Sequence, residues 1–370
     1  MTNLQALVLL NMVADIGSVR AKKLLAAFGE PYRIFEADLH RVSSAGLSPI
    51  LARRVVDAPR RLNVDQEIQA AARQGIRILT ILDEAYPKSL KEIYDPPIVL
   101  YAKGEWLDAD LNAIGVVGSR GASFYGLSCA RDFSSQLSQW GLTIVSGMAR
   151  GIDTAAHRAA LDAGGRTIAV VGSGFDHIYP PENEHLFYEI ADKGLVLSQF
   201  PLNMRPRPEN FPIRNRIISG LSKGVLVVEA SQKSGALITA RFALEQGRDV
   251  FAIPGKLSSA TSVGANDLIK QGARMVTHPQ EILQELRPQL CLKERDLCSP
   301  QTQNLGRAGL PPMDESEAVI VRSLDDEPKY IDCLCAETGL KMKDLLAVLM
   351  RLELKGLIKQ LPGKTFVRSL

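Results

Sequence analysis

Most features that announce a metalloprotein, a nucleotide hydrolase or a membrane protein are missing from this chain. Five cysteines are spread over 370 residues, at Cys129, Cys291, Cys298, Cys333 and Cys335. They contain no Cys-x-x-Cys spacing and no even framework, so reduced thiols, a cytoplasmic location and no zinc are expected. The five histidines (His40, His157, His177, His185 and His278) show no metal-ligand grouping. No Gly-x-x-x-x-Gly-Lys-Ser/Thr phosphate loop occurs, which argues against nucleoside triphosphate hydrolysis. No stretch reaches the roughly 20 apolar residues of a membrane span. The start, Met1-Thr-Asn-Leu-Gln5, lacks the basic opening of a signal peptide, and Asn11 and Asp15 interrupt the apolar run behind it. Even an excess of charge is wanting, because 44 Lys and Arg stand against 41 Asp and Glu, a formal +3.

What remains is an ordinary globular composition, 46% hydrophobic and 23% charged, long enough for two or three domains. Residues 1–70 read as short helices broken by glycines. Leu4–Val13, the turn Asp15-Ile-Gly-Ser-Val19 and Arg20–Phe28 are echoed by Ser43-Ser-Ala-Gly-Leu-Ser48 and Pro49–Val56. Helix, glycine turn, helix, twice over, fits a helix-hairpin-helix or SAM-like all-α domain; small packing domains use the same punctuation. Residues 71–283 alternate strand and helix. Short, β-branched apolar runs at 76–82, 98–102, 113–118, 143–146, 167–171, 195–198, 225–228 and 250–253 alternate with helical patterns at 127–140, 153–163, 183–192, 236–246 and 265–271. That alternation predicts a doubly wound α/β sheet. Residues 284–313 gather Pro288, Pro300, Pro311 and Pro312 and read as a linker. Residues 314–370 predict three helices and a terminal hairpin around Pro362-Gly363, a winged helix. Lys341, Lys343, Arg351 and Lys355 on its third helix either face DNA or form the wet side of a packing helix.

The neutral total conceals a concentrated positive stretch. Between Leu202 and Lys223 lie Arg205, Arg207, Arg214, Arg216 and Lys223 against one anion, Glu209. Guanidinium suits forked contacts to phosphate, and the interleaved Phe211 and Asn215 suit a stacked, charged strand. In an open parallel sheet, ligands bind beyond the carboxyl ends of the strands. Those ends run into Gly118-Ser-Arg-Gly121, Ser146-Gly-Met-Ala-Arg-Gly151, Gly172-Ser-Gly174 and Glu229-Ala-Ser-Gln-Lys-Ser-Gly235. Small residues admit a ligand's backbone, the following helices point positive ends at it, and Arg120, Arg150 and Lys233 add full charges. Glu229, Asp153 and His157 are titratable, but no nucleophile–base pair emerges from the pattern, so no catalytic residue and no cofactor is assigned.

Taken together and in order, these motifs closely resemble the DNA processing protein A family (DprA, also called Smf). The match rests on Gly118-Ser-Arg120, Ser146-Gly-x-Ala-Arg-Gly-Ile-Asp153, Phe175-Asp-x-x-Tyr-Pro-x-Glu-Asn183, Phe211-Pro-x-Arg-Asn-Arg-Ile-Ile-Ser-Gly-Leu-Ser222, Lys233-Ser-Gly-Ala-Leu-Ile-Thr-Ala240 and Val250-Phe-Ala-Ile-Pro-Gly255. The resemblance implies an extended Rossmann-like sheet that binds single-stranded DNA and loads the RecA recombinase onto strands coated by single-strand-binding protein, in natural transformation or recombination. It implies a homodimer built near Ile269–Ile282, without a membrane. On the matching positions, Arg120 holds a phosphate while Gly118, Gly147 and Gly151 supply backbone donors. Arg150, Arg214, Arg216, Lys223 and Lys233 extend the cationic track, Phe211 stacks a base or packs, and Asn215 touches a base edge or braces. Ser119, Ser146, Ser234 and Gly235 complete the expected contact set. The competing reading is a Rossmann-type hydrolase of a small nucleotide, related to the phosphoribohydrolases, whose Pro-Gly-Gly-x-Gly-Thr loop is absent here. A third is duplex binding by the winged helix alone.

Overall fold

A computed structural model describes residues 1–290, 314–324, 329–355, 357–361 and 363–368. Most of the expected linker, with Cys291 and Cys298, lies outside the described residues, as does Pro362 of the terminal turn. The described residues fall into two units.

The larger unit begins with helices α1 (Asn3–Met12), α2 (Ser18–Phe28), α3 (Arg33–Glu36), α4 (Leu39–Ser44), α5 (Pro49–Arg61) and α6 (Val64–Arg73). Local chemistry sets their ends. Thr2 and Gln5 form a capping box on α1, and Ser48 caps α5 with Pro49 in its first turn. The run Ala6–Leu10 is wholly buried. It shares one core with Tyr101, Phe187 and Val196 of the following sheet layer, and Tyr101 donates to Glu67 of α6 at 2.9 Å. The helical segment therefore rests on the sheet, and α6 runs past residue 70 without a break.

The chain continues through β1 (Arg77–Thr80), α7 (Lys88–Lys91), β2 (Val99–Gly104), β3 (Ala113–Val117), α8 (Phe124–Gln139), β4 (Thr143–Ser146), α9 (Ile152–Asp162) and β5 (Thr167–Val170). Then come α10 (Glu184–Lys193), β6 (Leu195–Ser198), α11 (Asn210–Leu221), β7 (Gly224–Val227), α12 (Gly235–Glu245), β8 (Asp249–Ala252), α13 (Val263–Lys270), β9 (Arg274–Met275) and α14 (Pro279–Leu286). Among the described residues the strands form one nine-stranded sheet in the order β1-β2-β6-β5-β4-β3-β7-β8-β9. From β6 to β9 all pairs are parallel, while β1–β2 and β2–β6 are antiparallel. Every residue of β3, β4, β5, β6 and β7 is buried, as a parallel sheet covered on both faces requires. The winding reverses at β3, whose neighbours are β4 on one side and β7 on the other. That reversal opens a crevice beyond the carboxyl ends of β3 and β7.

Two differences from the sequence reading matter. The basic stretch 202–223, to which no helix was assigned, contains the twelve-residue helix α11. The chain also stays helical through Leu286, with a 3₁₀ turn to Gln289, beyond the residue where the linker was expected to begin.

The smaller unit contains α15 (Glu315–Ser323), β10 (Lys329–Tyr330), α16 (Ile331–Thr338), α17 (Met342–Leu354), β11 (Ile358–Leu361) and β12 (Thr365–Arg368). Its strands pair β10-β12-β11 over a core that includes Ile320, Leu334, Leu345, Leu349 and Phe366. Three helices with a hairpin wing make this a winged helix.

Candidate nucleic-acid interface

A cavity of about 600 Å³ lies at the reversal point. One wall is the loop after β3, with Gly118, Ser119 and Arg120; the facing wall is the loop after β7 and the start of α12, with Ser231, Ser234 and Gly235. The first turns of α11 close it with Phe211, Arg214 and Asn215. A smaller adjoining cleft shares Tyr179 with it and adds Gly147 and Arg150. Helices α11 and α12 present their N-terminal turns to the cavity, so partial positive charge converges where an anion would enter.

Two arginines flank one aromatic ring. The Arg120 guanidinium lies 5.0 Å from the Phe211 ring centroid and that of Arg214 6.0 Å. The Tyr179 ring packs against Phe211 at 5.6 Å. Their environments are opposite. Arg120 is exposed and has no carboxylate partner among the described residues. Arg214 is only 3% exposed, and its Nη1 donates to the carbonyls of Gly147 and Val170. Gly147 makes that seat possible, because a Cβ there would sit 2.6 Å from Arg214 Nη1. Burial pulls the Arg214 pKa down to about 10, opposed by nearby Asp153, so it keeps its charge at neutral pH. Asp153 is the counterpart. Its Oδ2 accepts from the backbone N–H of Gly147 and Ala149. Burial pushes its pKa up to about 6 against the pull of Arg214 and those two N–H groups.

The remaining expected residues divide by geometry. Gly118 and Ser119 line the crevice, although the Ser119 N–H is taken by the Glu229 carbonyl at 2.8 Å. Gly151 has φ +75° and would place a Cβ 2.3 Å from the Ser119 carbonyl, so glycine is needed for the two loops to touch. The Gly147 N–H, expected as a phosphate donor, is spent on Asp153. Arg150 is exposed and ion-paired with Glu182, with its guanidinium 5.9 Å from the Tyr179 ring centroid. Ser234 caps α12, Asn215 donates to the Gly235 carbonyl at 3.2 Å, and Lys233 is exposed on the same loop.

Three expected contacts stand elsewhere. The Ser146 hydroxyl is fully buried and donates to Val116 O at 2.6 Å. Arg216 is 2% exposed and satisfied by the Asp95 carboxylate at 2.9 Å, Gln199 at 2.6 Å and the Ser18 hydroxyl at 2.7 Å. It pins α11 to the N-terminal helices and does not face the crevice. Lys223 precedes β7 and donates its N–H to Ala113 O, at the amino end of the strands and opposite the cavity.

The titratable residues weighed for catalysis are held in structural bonds. Glu229 is buried and accepts from the Thr261 hydroxyl. Because the Thr167 hydroxyl donates to Ile144 O at 2.7 Å, buried His157 donates to it from Nδ1. Burial drives the His157 pKa down to about 3. Tyr179 is the crevice residue to which the sequence gave no role; its signal was the Tyr-Pro pair following β5. In the winged helix, Arg351 pairs with Asp314 at 3.2 Å and Lys355 with Glu317 at 2.7 Å. These two cations therefore tie α17 to the start of α15, leaving Lys341 and Lys343 exposed. Among the described residues no helix is long and apolar enough to cross a membrane, and no group of His, Cys, Asp and Glu is placed to hold a metal ion.

Fold and crevice define a Rossmann-like protein with an extended sheet, an arginine-lined switch-point crevice and an appended winged helix. Residues 77–287 match the model of the DNA recombination-mediator protein A family, and residues 307–364 match that of the DprA winged helix domain. The chain belongs to that family. It is 37% identical to Protein Smf of Synechocystis sp. over 97% of both chains. It is 48% identical to DNA processing protein DprA of Streptococcus pneumoniae over 56% of this chain and 73% of that one. The X-ray structure of the S. pneumoniae protein superposes with a TM-score of 0.67 at 39% identity, covering 77% of this chain and 98% of that one. DNA processing protein A from Helicobacter pylori, whose structure concerns its single-stranded DNA binding mode, gives 0.52 at 30% identity over 58% and 96%. Membership supports a DNA-processing role in recombination.

Proposed function

We propose that the chain binds single-stranded DNA in the switch-point crevice, without chemistry of its own, and delivers the strand to RecA in exchange for single-strand-binding protein. The observation that carries this reading is Arg120, an exposed guanidinium without a carboxylate partner among the described residues, held over Phe211 at the mouth of a cavity fed by helix N-termini. In this reading Arg120 takes a phosphate, and Arg150 and Lys233 follow the backbone on either side. Phe211 and Tyr179 offer ring surface to a base, a contact worth about 1–3 kcal/mol. Gly118, Gly151, Ser119, Ser234, Gly235 and Asn215 shape the walls. Arg214 and Gly147 act indirectly by holding the loop after β4. The likeness to the H. pylori protein supports the same ligand. A homodimer through Ile269–Ile282 belongs to this reading, with β9 at the sheet edge and Met275 exposed. The small-nucleotide hydrolase reading loses ground, because Asp153, the one carboxylate among the described residues lining the cavity, is committed to two backbone N–H groups.

The test is a titration of labelled oligonucleotide at several salt concentrations, with duplex and mononucleotide competitors. The logarithmic salt slope for Z neutralised phosphates on a single strand is about −0.7Z. A steep slope with poor competition supports a strand-binding crevice. A flat slope with effective mononucleotide competition defeats it. RecA nucleation on single strands coated by single-strand-binding protein, with and without the chain, tests delivery separately.

A further inference from the structure

Helix α11 has a cavity on each side. Phe211 and Asn215 line the crevice, while Asn210 and Ile213 line a second cavity of about 1050 Å³, bounded on its far side by the start of α2 and the Gly46 turn. The segment leading into α11 divides in the same way. Pro206 and Pro208 line the crevice, whereas Met204, Arg207 and Glu209 line the second cavity. A single stretch of backbone therefore parts the two.

Charge in the second cavity is unbalanced. Arg20, Lys23 and Arg207 line it, all exposed and none paired with a carboxylate among the described residues. Of its three carboxylates, Asp15 is taken by Arg54 and Asp95 by Arg216, which leaves Glu209. The two glycine turns of the helical segment meet here. Gly17 opens α2 without a side-chain cap, and a Cβ on Gly46 would lie 4.0 Å from Lys23 Cδ. Cations beside bare backbone suit phosphate. The cavity also holds an unmet acceptor. Asn210 is only 7% exposed; its amide nitrogen reaches the Arg205 carbonyl at 3.5 Å, and its Oδ1 accepts from no described residue. That oxygen fits the amino or imino N–H of a base, and Ile213, 44% exposed, offers hydrocarbon to the base's face. A duplex has its base-pairing N–H groups already engaged, whereas an unpaired strand brings phosphates, base edges and base faces together.

We propose that this cavity is a second stretch of the single-strand path, entered from the crevice across Pro206–Pro208, with Arg207, Lys23 and Arg20 taking phosphates. The proposal rests on the single-strand reading of the crevice and extends it: the N-terminal helices become part of the DNA site, and a bound strand passes on both sides of the start of α11.

The test is fluorescence anisotropy of the full chain with oligothymidylates of roughly 4 and roughly 16 nucleotides, the span of usual single-strand site sizes. The shorter can fill the crevice alone; the longer can cross into the second cavity. Lys23→Ala/Arg207→Ala is expected to weaken the longer strand about ten-fold or more. Its salt slope should flatten by about 1.4, two phosphates at about 0.7 each. The shorter strand should keep its affinity within about two-fold. Arg53→Ala/Arg60→Ala, which removes two exposed cations of α5 outside the cavity, should change neither. The proposal is overturned if the cavity variant binds the longer strand as the unchanged chain does, loses both lengths equally, or loses no more than the α5 variant. Arg120→Ala reports separately on the crevice and should weaken both lengths. If it weakens neither, the crevice reading fails, while the longer strand's response to Lys23→Ala/Arg207→Ala still decides the cavity.

Discussion

Arg120→Ala is the sharpest perturbation that the crevice offers, because it separates binding from folding. The guanidinium is exposed, has no hydrogen-bond or carboxylate partner among the described residues, and lies 5.0 Å from the Phe211 ring centroid. Its removal should therefore change folding free energy by no more than about 0.5 kcal/mol, as for other surface sites. At this size of protein that is about 1–2 °C in melting temperature. For binding, one charge-assisted contact is lost, about 1.5–3 kcal/mol, or roughly ten- to a hundred-fold in affinity for a single-stranded oligonucleotide. The salt slope should flatten by about 0.7, the value of one phosphate. Arg214→Ala provides the contrast beside the same ring. It leaves Asp153 buried without its counter-charge and strips the Gly147 and Val170 carbonyls of a donor. About 3–5 kcal/mol of stability should go, a fall on the order of 10 °C. Fluorescence anisotropy at three or more salt concentrations, beside thermal unfolding of the same samples, measures both quantities. If Arg120→Ala keeps full affinity and slope, or melts as early as Arg214→Ala, the assignment of roles from burial is wrong.

Two further outcomes follow from the same geometry. Lys223→Ala should leave single-strand affinity within about two-fold, less than 0.5 kcal/mol, because the residue sits at the amino end of β7; a ten-fold loss would place the DNA path outside the crevice. Asp153 should print a pH dependence on stability: its folded pKa of about 6 lies above the unfolded value near 3.8, so the folded state binds the proton more tightly. Its contribution is present in full below about pH 4 and is lost as pH rises through 6, amounting to roughly 3 kcal/mol for a shift of about two units. Asp153→Asn should remove that component from the stability profile measured by denaturant unfolding between pH 4 and 7, and an unchanged profile would contradict the burial argument.

The parallel core was legible because β3 to β7 are short, continuous apolar runs that only a doubly covered sheet can use. Direction was not legible for β1 and β2. Their apolar runs look the same whichever way they pair, and both pairings proved antiparallel. β9 has two residues, too few to leave a pattern. The larger misreading concerned α11. Its arginines were read for their charge and no helix was assigned, although Arg214, Ile217, Ile218 and Leu221 recur at helical spacing. Sequence counts a guanidinium as charge wherever it stands. Here Arg214 and Arg216 spend their donors on carbonyls, an amide, a hydroxyl and a carboxylate, and so can be buried. For the same reason the strand-end glycines singled out in the sequence do line a crevice, while two members of its expected cationic track, Arg216 and Lys223, lie outside it. The first follows from bonding that no spacing reveals, the second from lying at the wrong end of a correctly placed strand.

The anchoring of α11 has a kinetic side. The helix is fixed at Arg216 by Ser18, Gln199 and Asp95 and at Arg214 by the loops after β4 and β5. It cannot rotate or slide without breaking bonds at both points. Under the proposed function, its wall of the crevice therefore stands ready before any strand arrives, and Phe211 requires no ordering on encounter. In the proposed reading, accommodation of different bases falls to the exposed arms Arg120 and Lys233, whose side chains reorient in picoseconds to nanoseconds. Capture should then proceed at the rate of electrostatically steered collision, with no slow rearrangement after contact, and differences among sequences should appear in how long a strand stays.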